Sequence, residues 1–171
     1  MSEKIKTDKL IIFDTTLRDG EQSAGASLTS QDKFRIASQL QKLNVDIIEA
    51  GFAASSPGDF SAVRKIASEI EGPTICTLAR AVKGDIQSAI ECVKDGLKPR
   101  IHTFLSTSDI HLLHQMKKDR ESIMSMAIDA VKQAIKGAGM IAAVGSGVAK
   151  LFGMPSFGGN MTRRIKFLRG Q

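Results

Sequence analysis

The stretch "VDIIEAGFAASSPGDF", residues 45 to 60, changes its period in the middle. Its first half, "DIIEAGF", is an apolar run with one carboxylate, Glu49, near its end, and reads as a buried strand. Its second half reads as the start of a helix, with Ser56 at the cap, Pro57 at the first helical position and Asp59 three residues after the cap. Phe60, Val63, Ile66 and Ile70 then mark a buried helical face. A strand too apolar to alternate, followed at once by a capped amphipathic helix, is the repeat unit of a parallel sheet covered by helices.

The same unit recurs on both sides. Upstream, "KLIIFD" (residues 9 to 14) is an apolar run that ends in Asp, as a buried strand does at a sheet edge. A helix is expected from Thr29, with Asp32 completing a capping box and Phe34, Ala37, Leu40 and Leu43 at helical spacing. Downstream, "PTICTL" reads as a third strand, and Ile86, Ile90 and Val93 line a third helix that Gly96 closes in the left-handed conformation. "PRIHTFLS" reads as a fourth strand carrying His102, followed by a helix lined by Ile123, Met126, Ala130 and Ala134.

Four strand–helix units in succession predict an α/β chain with a parallel sheet, either open and doubly wound or part of a (β/α)8 barrel. Both architectures place chemistry at the carboxyl ends of the strands. Arg18, Asp19, Glu49, Arg80 and His102 are all expected at or just beyond strand ends, converging on one rim. In "FDTTLRDGEQSAGASLT" (residues 13 to 29) an Arg stands next to an Asp at a strand mouth, which is suitable equipment for holding a metal and an oxyanion together. A strand-end charge is more often solvated or paired than catalytic, so the expectation rests on the convergence of several.

Composition bounds the alternatives. The 171 residues, 42% of them hydrophobic, suit one modest core. The formal charge of +6 is a local feature, because residues 137 to 171 carry Lys150, Arg163, Arg164, Lys166 and Arg169 and no acidic residue, leaving 19 basic side chains against 18 acidic ones upstream. That basic end has only Phe157 and Phe167 as aromatic platforms, so it reads as a solvated terminus and no nucleic-acid partner is expected. The apolar run from Ala138 to Met154 is too short to span a bilayer and contains Lys150, so no membrane partner is expected either. Cys76 and Cys92 have no Cys or His at ligand spacing and fit ordinary buried thiols in a reducing cytoplasm.

Four stretches together resemble the 2-isopropylmalate synthases, within the metal-dependent aldolase-like TIM barrels: "FDTTLRDGEQSAGASLT", "VDIIEAGFAASSPGDF", "ICTLARAVKGDI" and "RIHTFLSTSDIHLLHQMK". The first motif would also admit homocitrate and citramalate synthases; "SPGDF" and "HTFLSTSDIH" favour the isopropylmalate branch. The resemblance covers residues 9 to about 135 and implies the first four βα units of a (β/α)8 barrel. It implies a Claisen-type condensation of acetyl-CoA with 2-oxoisovalerate, giving 2-isopropylmalate and CoA in leucine biosynthesis. It also implies a divalent metal (Mn2+, Mg2+ or Zn2+) chelated by the oxo acid, with Asp19 matching the metal-binding Asp and Arg18 the cation that stabilises the alkoxide. His102 matches a substrate-binding His, Gln22 faces the site from the first loop, and Glu49 and Arg80 are expected as pocket residues.

The departures are equally definite. The family's His-x-His metal pair and the Glu of its fifth strand have no counterpart here, so metal binding by this chain is expected to be weak or absent. His111 and His114 read as loop or helix surface rather than as ligands. Residues 1 to 136 are expected to form the N-terminal half of a barrel, and residues 137 to 171, which hold eight of the 15 glycines, to be a poorly ordered segment outside the family pattern. The simplest reading is a coding register lost near residue 135, and the next an evolved cap. A half-barrel with open edges is expected to be poorly soluble, to associate with itself, or to pair with a full-length synthase as a non-catalytic partner or regulator.

Overall fold

A computed structural model describes residues 10 to 138 and 141 to 144. The chain alternates β1 (Phe13–Asp14), α1 (Ser30–Lys42), β2 (Ile47–Phe52), α2 (Pro57–Glu69), β3 (Thr74–Arg80), α3 (Lys83–Val93), β4 (Pro99–Phe104), α4 (Arg120–Ala138) and β5 (Ile141–Val144). A 3-10 turn, Gly20–Gln22, interrupts the loop after β1, and a π-helical segment, His111–Met116, precedes α4. The caps form as the local chemistry demands. The Thr29 side chain accepts from the Asp32 N–H while the Thr29 N–H donates to the Asp32 carboxylate, and the Ser56 hydroxyl accepts from the Asp59 N–H one residue before Pro57.

The five strands are all parallel and lie in the order β1-β2-β3-β4-β5. Among the described residues no switch in strand order occurs, and each helix packs beside the next, α1 on α2, α2 on α3, α3 on α4. All four helices therefore cover one face, which is the arrangement of a barrel wall rather than of a doubly wound sheet. The core lies between: Ile48 and Ala50 of β2, Ile75 and Ala79 of β3 and Ile101 of β4 meet Val63, Ile66, Ile86, Val93 and Ile123 from the helices. On the other face the sheet is concave, since the Phe13 ring on β1 reaches the His102 ring on β4 edge-on, with centroids 6.0 Å apart.

Several expectations need correction. The fourth helix runs on to Ala138 and a fifth strand, Ile141–Val144, pairs with β4, where the Gly-rich composition predicted an end to the alternation. The rest of the expected tail, residues 145 to 171, lies outside the described residues. The "KLIIFD" run is not a buried strand: Leu10, Ile11 and Ile12 are exposed and only Phe13–Asp14 is regular, because among the described residues β1 has one neighbour, β2. Leu43 is the exposed C-cap of α1, not part of its buried stripe. Gly96 is not left-handed; a Cβ there would stand 2.9 Å from the Ala67 carbonyl oxygen, so it is a close-approach glycine between helices.

β2 slips its register against β3 between Glu49 and Phe52. At that bulge Gly51 takes φ +151° and a Cβ would meet the buried Val63 side chain at 2.9 Å. The buried Thr77 hydroxyl fills the gap in the ladder, donating to the Gly51 carbonyl at 3.1 Å and accepting from the Ala53 N–H at 3.2 Å. Gly51→Ala is expected to cost about 2 kcal/mol of unfolding free energy in urea titration, from backbone strain and overpacking together.

Candidate active site

The site is built around Glu49. Its side chain is fully buried on the concave face of β2 and makes two short contacts, accepting from Arg18 Nε at 2.7 Å and lying 2.6 Å from His102 Nδ1. A carboxylate that accepts from a guanidinium can only accept from the imidazole too, so Nδ1 carries the hydrogen and Nε2 is the ring's other face. Burial by itself pushes the Glu49 carboxyl up, but the hydrogen bonds from His102 and Arg18 outweigh it and hold the group below its ordinary range.

Arg18 follows β1 on the loop, with its side chain one-fifth exposed. Its Nη1 lies 3.1 Å from the Asp19 carboxylate, whose side chain is 64% exposed. The guanidinium has five N–H donors, so these contacts leave several for a bound oxyanion. A cleft opens beside it, walled by Arg18, Glu21 and Gln22 from the first loop and by Phe52, Ser55 and Asp59 from the end of β2 and the start of α2, with Leu78 of β3 at its base. The lining thus combines the Arg18 guanidinium and the Gln22 amide with the polar Glu21, Ser55 and Asp59 and the apolar Phe52 and Leu78.

The structure thus brings Arg18, Asp19, Glu49 and His102 into contact and sets Gln22 on the cleft wall. Glu49 and His102 are not at strand ends, as the sequence suggested, but inside β2 and β4, a layer below the rim. Arg80 stays outside the cluster: it is tied to Asp85 at 2.6 Å, and its guanidinium stands 5.6 Å over the Phe52 ring at the cleft edge. His111 and His114 are exposed on the π-helical segment.

Both thiols are free and buried, Cys76 among the concave-face side chains and Cys92 on α3. Burial, then the Glu49 charge, drives the Cys76 thiol well up, and burial pushes Cys92 up to about 12, which keeps both thiols in the neutral form.

Sequence reasoning missed Lys33, whose ammonium bonds Glu21 at 2.7 Å and also Asp59. The signal was present, since Lys33 shares its helical stripe with the buried Ala37 and Leu40. Thr77 was missed as well, and a Thr within an apolar strand gives no sign of a bulge on the neighbouring one.

A parallel sheet with its helices on one face, carrying an ionic cluster on the opposite, concave face, defines a segment of a (β/α) barrel. The HMGL-like family profile matches residues 9–152, and the chain belongs to that family. It is 56% identical to the 2-isopropylmalate synthase of Gloeobacter violaceus over 127 residues, 72% of this chain and 24% of the relative. It is also 56% identical to the Pyrococcus furiosus 2-isopropylmalate synthase over 136 residues, 80% of this chain and 26% of the relative. The chain spans about a quarter of the length of the curated relatives it matches. An HMG-CoA lyase structure from Bacillus subtilis superposes with a TM-score of 0.61 at 20% identity, covering 80% of this chain and 45% of that one, which supports the barrel fold.

The HMGL-like family is generally metal-dependent, but the donors among the described residues are too few to hold a divalent cation. Asp19 is a single exposed carboxylate beside a guanidinium, and among the described residues no group of three His, Cys, Asp or Glu side chains could hold a metal ion. Among the described residues no helix is long and apolar enough to cross a membrane.

Because the folded Glu49 carboxyl titrates below its ordinary value of 4.5, its contribution to stability is full above that pH and is lost as pH falls through the lower folded value. In acid denaturation, Glu49→Gln is expected to show a flatter stability curve across that window and lower stability at neutral pH, read by circular dichroism in urea.

Proposed function

We propose that this chain supplies the oxo-acid side of a 2-isopropylmalate synthase site. The observation that carries the reading is the Arg18 guanidinium pinned through Nε to buried Glu49, with donors left beside a cleft that also carries the apolar side chains of Phe52 and Leu78. The 56% identity to synthases of two distant organisms supports it.

In this reading 2-oxoisovalerate enters with its keto and carboxylate oxygens toward Arg18 and its isopropyl group toward Phe52 and Leu78. A base takes a methyl proton from acetyl-CoA, the resulting enolate attacks the keto carbon, and a C–C bond forms as the keto π electrons pass to oxygen, giving an alkoxide that then takes up a proton to become the hydroxyl. Arg18 holds that developing charge without being able to surrender a proton, since a guanidinium stays charged. Hydrolysis of the thioester then releases CoA and 2-isopropylmalate. His102, held by Glu49, presents Nε2 toward the substrate, and Gln22 orients it from the loop. No step is assigned to Asp19 through a metal.

A second reading, a non-catalytic half-barrel that pairs with itself or with a full-length synthase, is favoured by the apolar side chains left open at β1 and the concave face, with Phe13 and Phe104 about two-fifths exposed. The two readings separate in one set of preparations. Titration calorimetry of the wild-type chain with 2-oxoisovalerate is expected to show binding that Arg18→Ala weakens about 10-fold or more. Release of CoA from acetyl-CoA, dependent on the oxo acid and lost in Arg18→Ala, extends the reading to catalysis. Absence of oxo-acid binding in a folded chain overturns the first reading, and concentration-dependent sedimentation of that chain supports the second.

A further inference from the structure

The loop from residue 15 to residue 29 carries Arg18, Asp19 and Gln22, yet little holds it. Leu17 is buried in the core, and the loop's backbone hydrogen bonds run mostly among its own residues, as when the N–H groups of Arg18, Asp19 and Gly20 all reach the Thr15 carbonyl. Among the described residues, two ionic contacts tie it to the rest of the fold: Arg18 to Glu49 at 2.7 Å and Glu21 to Lys33 at 2.7 Å. The second has no part in the chemistry described above.

Lys33 lies in the first turns of α1, and its side chain is 3% exposed. Its ammonium bonds the Glu21 carboxylate on the Gly20–Gln22 turn and the Asp59 carboxylate in the first turn of α2. Asp59 is held in its turn by the hydroxyls of Ser55 and Ser56. Glu21 and Asp59 are each about three-quarters buried, and both line the cleft, Glu21 on the loop wall and Asp59 on the opposite one. One buried cation therefore joins a residue of each cleft wall.

Core packing alone does not call for a lysine here. Ala37 and Leu40 continue the same stripe, and an apolar side chain at 33 would bury surface without the desolvation of an ammonium. What an ionic junction adds is direction: it fixes where the Gly20–Gln22 turn sits relative to the start of α2. We propose that Lys33 is a positioning residue, a buried clamp that sets the separation of the two cleft walls and so holds Arg18 and Gln22 in register with Phe52 on the opposite wall. The proposal rests on the reading of the cleft as the oxo-acid site.

The test compares wild type, Lys33→Met and Glu21→Gln by amide hydrogen exchange and by calorimetric titration with 2-oxoisovalerate. Lys33→Met is expected to raise exchange in the loop after β1 about 10-fold and to weaken 2-oxoisovalerate binding by a similar factor, while exchange in α3 and β4 stays at wild-type values. Glu21→Gln, which leaves the Lys33–Asp59 bond in place, supplies the same readouts should Lys33→Met fail to fold. The pair Lys33→Met/Glu21→Gln is expected to lose no more affinity than Lys33→Met alone, since both act through one junction. Unchanged loop exchange in the single variants overturns the clamp. A rise in exchange spread evenly over the whole chain overturns it too, because that is the signature of general destabilisation. If the wild-type chain binds no 2-oxoisovalerate, the oxo-acid reading fails, and loop exchange alone then decides whether Lys33 clamps the loop.

Discussion

A carboxylate with no exposed surface, Glu49, organises one face of this protein. Left alone it would be costly to keep charged in that position, and it is held ionised by the Arg18 guanidinium and by contact with the His102 ring. The three side chains come from the loop after β1, from β2 and from β4, so satisfying one buried charge fixes the relative position of three segments far apart in sequence. Removing either partner would leave a buried charge poorly compensated, whereas the intact cluster leaves the outer donors of Arg18 and the second nitrogen of His102 for a ligand.

Other devices set the surroundings of that cluster. Just beyond Glu49 the ladder of β2 slips, Gly51 takes a backbone conformation that favours glycine, and the Thr77 hydroxyl completes the interrupted hydrogen bonding. The slip carries the chain through Phe52 and Ser55 into the capped start of α2, which forms one wall of the cleft. The opposite wall is the first loop, tied in its first half by Arg18 and Glu21. Strand geometry and loop position are thus settled by polar contacts, and the apolar core between sheet and helices serves as their rigid support.

Much of this was legible in the sequence where the cause is local. The caps at Thr29 and Ser56, the placing of Pro57 and the buried stripes of α2 and α3 depend on residues within a turn or two of one another. The charges at "RDGEQ" and the His of β4 were legible as candidates for the same reason. What was not legible depends on distant partners. Leu43 has helical spacing but falls at the cap, where no neighbour covers it. Ile141–Val144 is a small-residue strand specified by its pairing with β4 rather than by its own pattern. Gly96 owes its identity to the Ala67 carbonyl of another helix, and Lys33 owes its burial to carboxylates 12 and 26 positions away. The depth of Glu49 and His102 within their strands was also hidden, because strand alternation tells which side chains share a face but not how far below the rim they lie.

If Glu49 fixes Arg18 and His102 as one unit, the nitrogen-15 spectrum of the Arg18 and His102 side chains, with and without 2-oxoisovalerate, will show it. A hydrogen on His102 Nδ1, a protected Arg18 Nε–H, and shifts on adding the oxo acid at Arg18 Nη and His102 Nε2 that Glu49→Gln abolishes are the expected result. A bare Nδ1, together with an Arg18 Nε–H in free exchange with solvent and no response to the oxo acid, would contradict it.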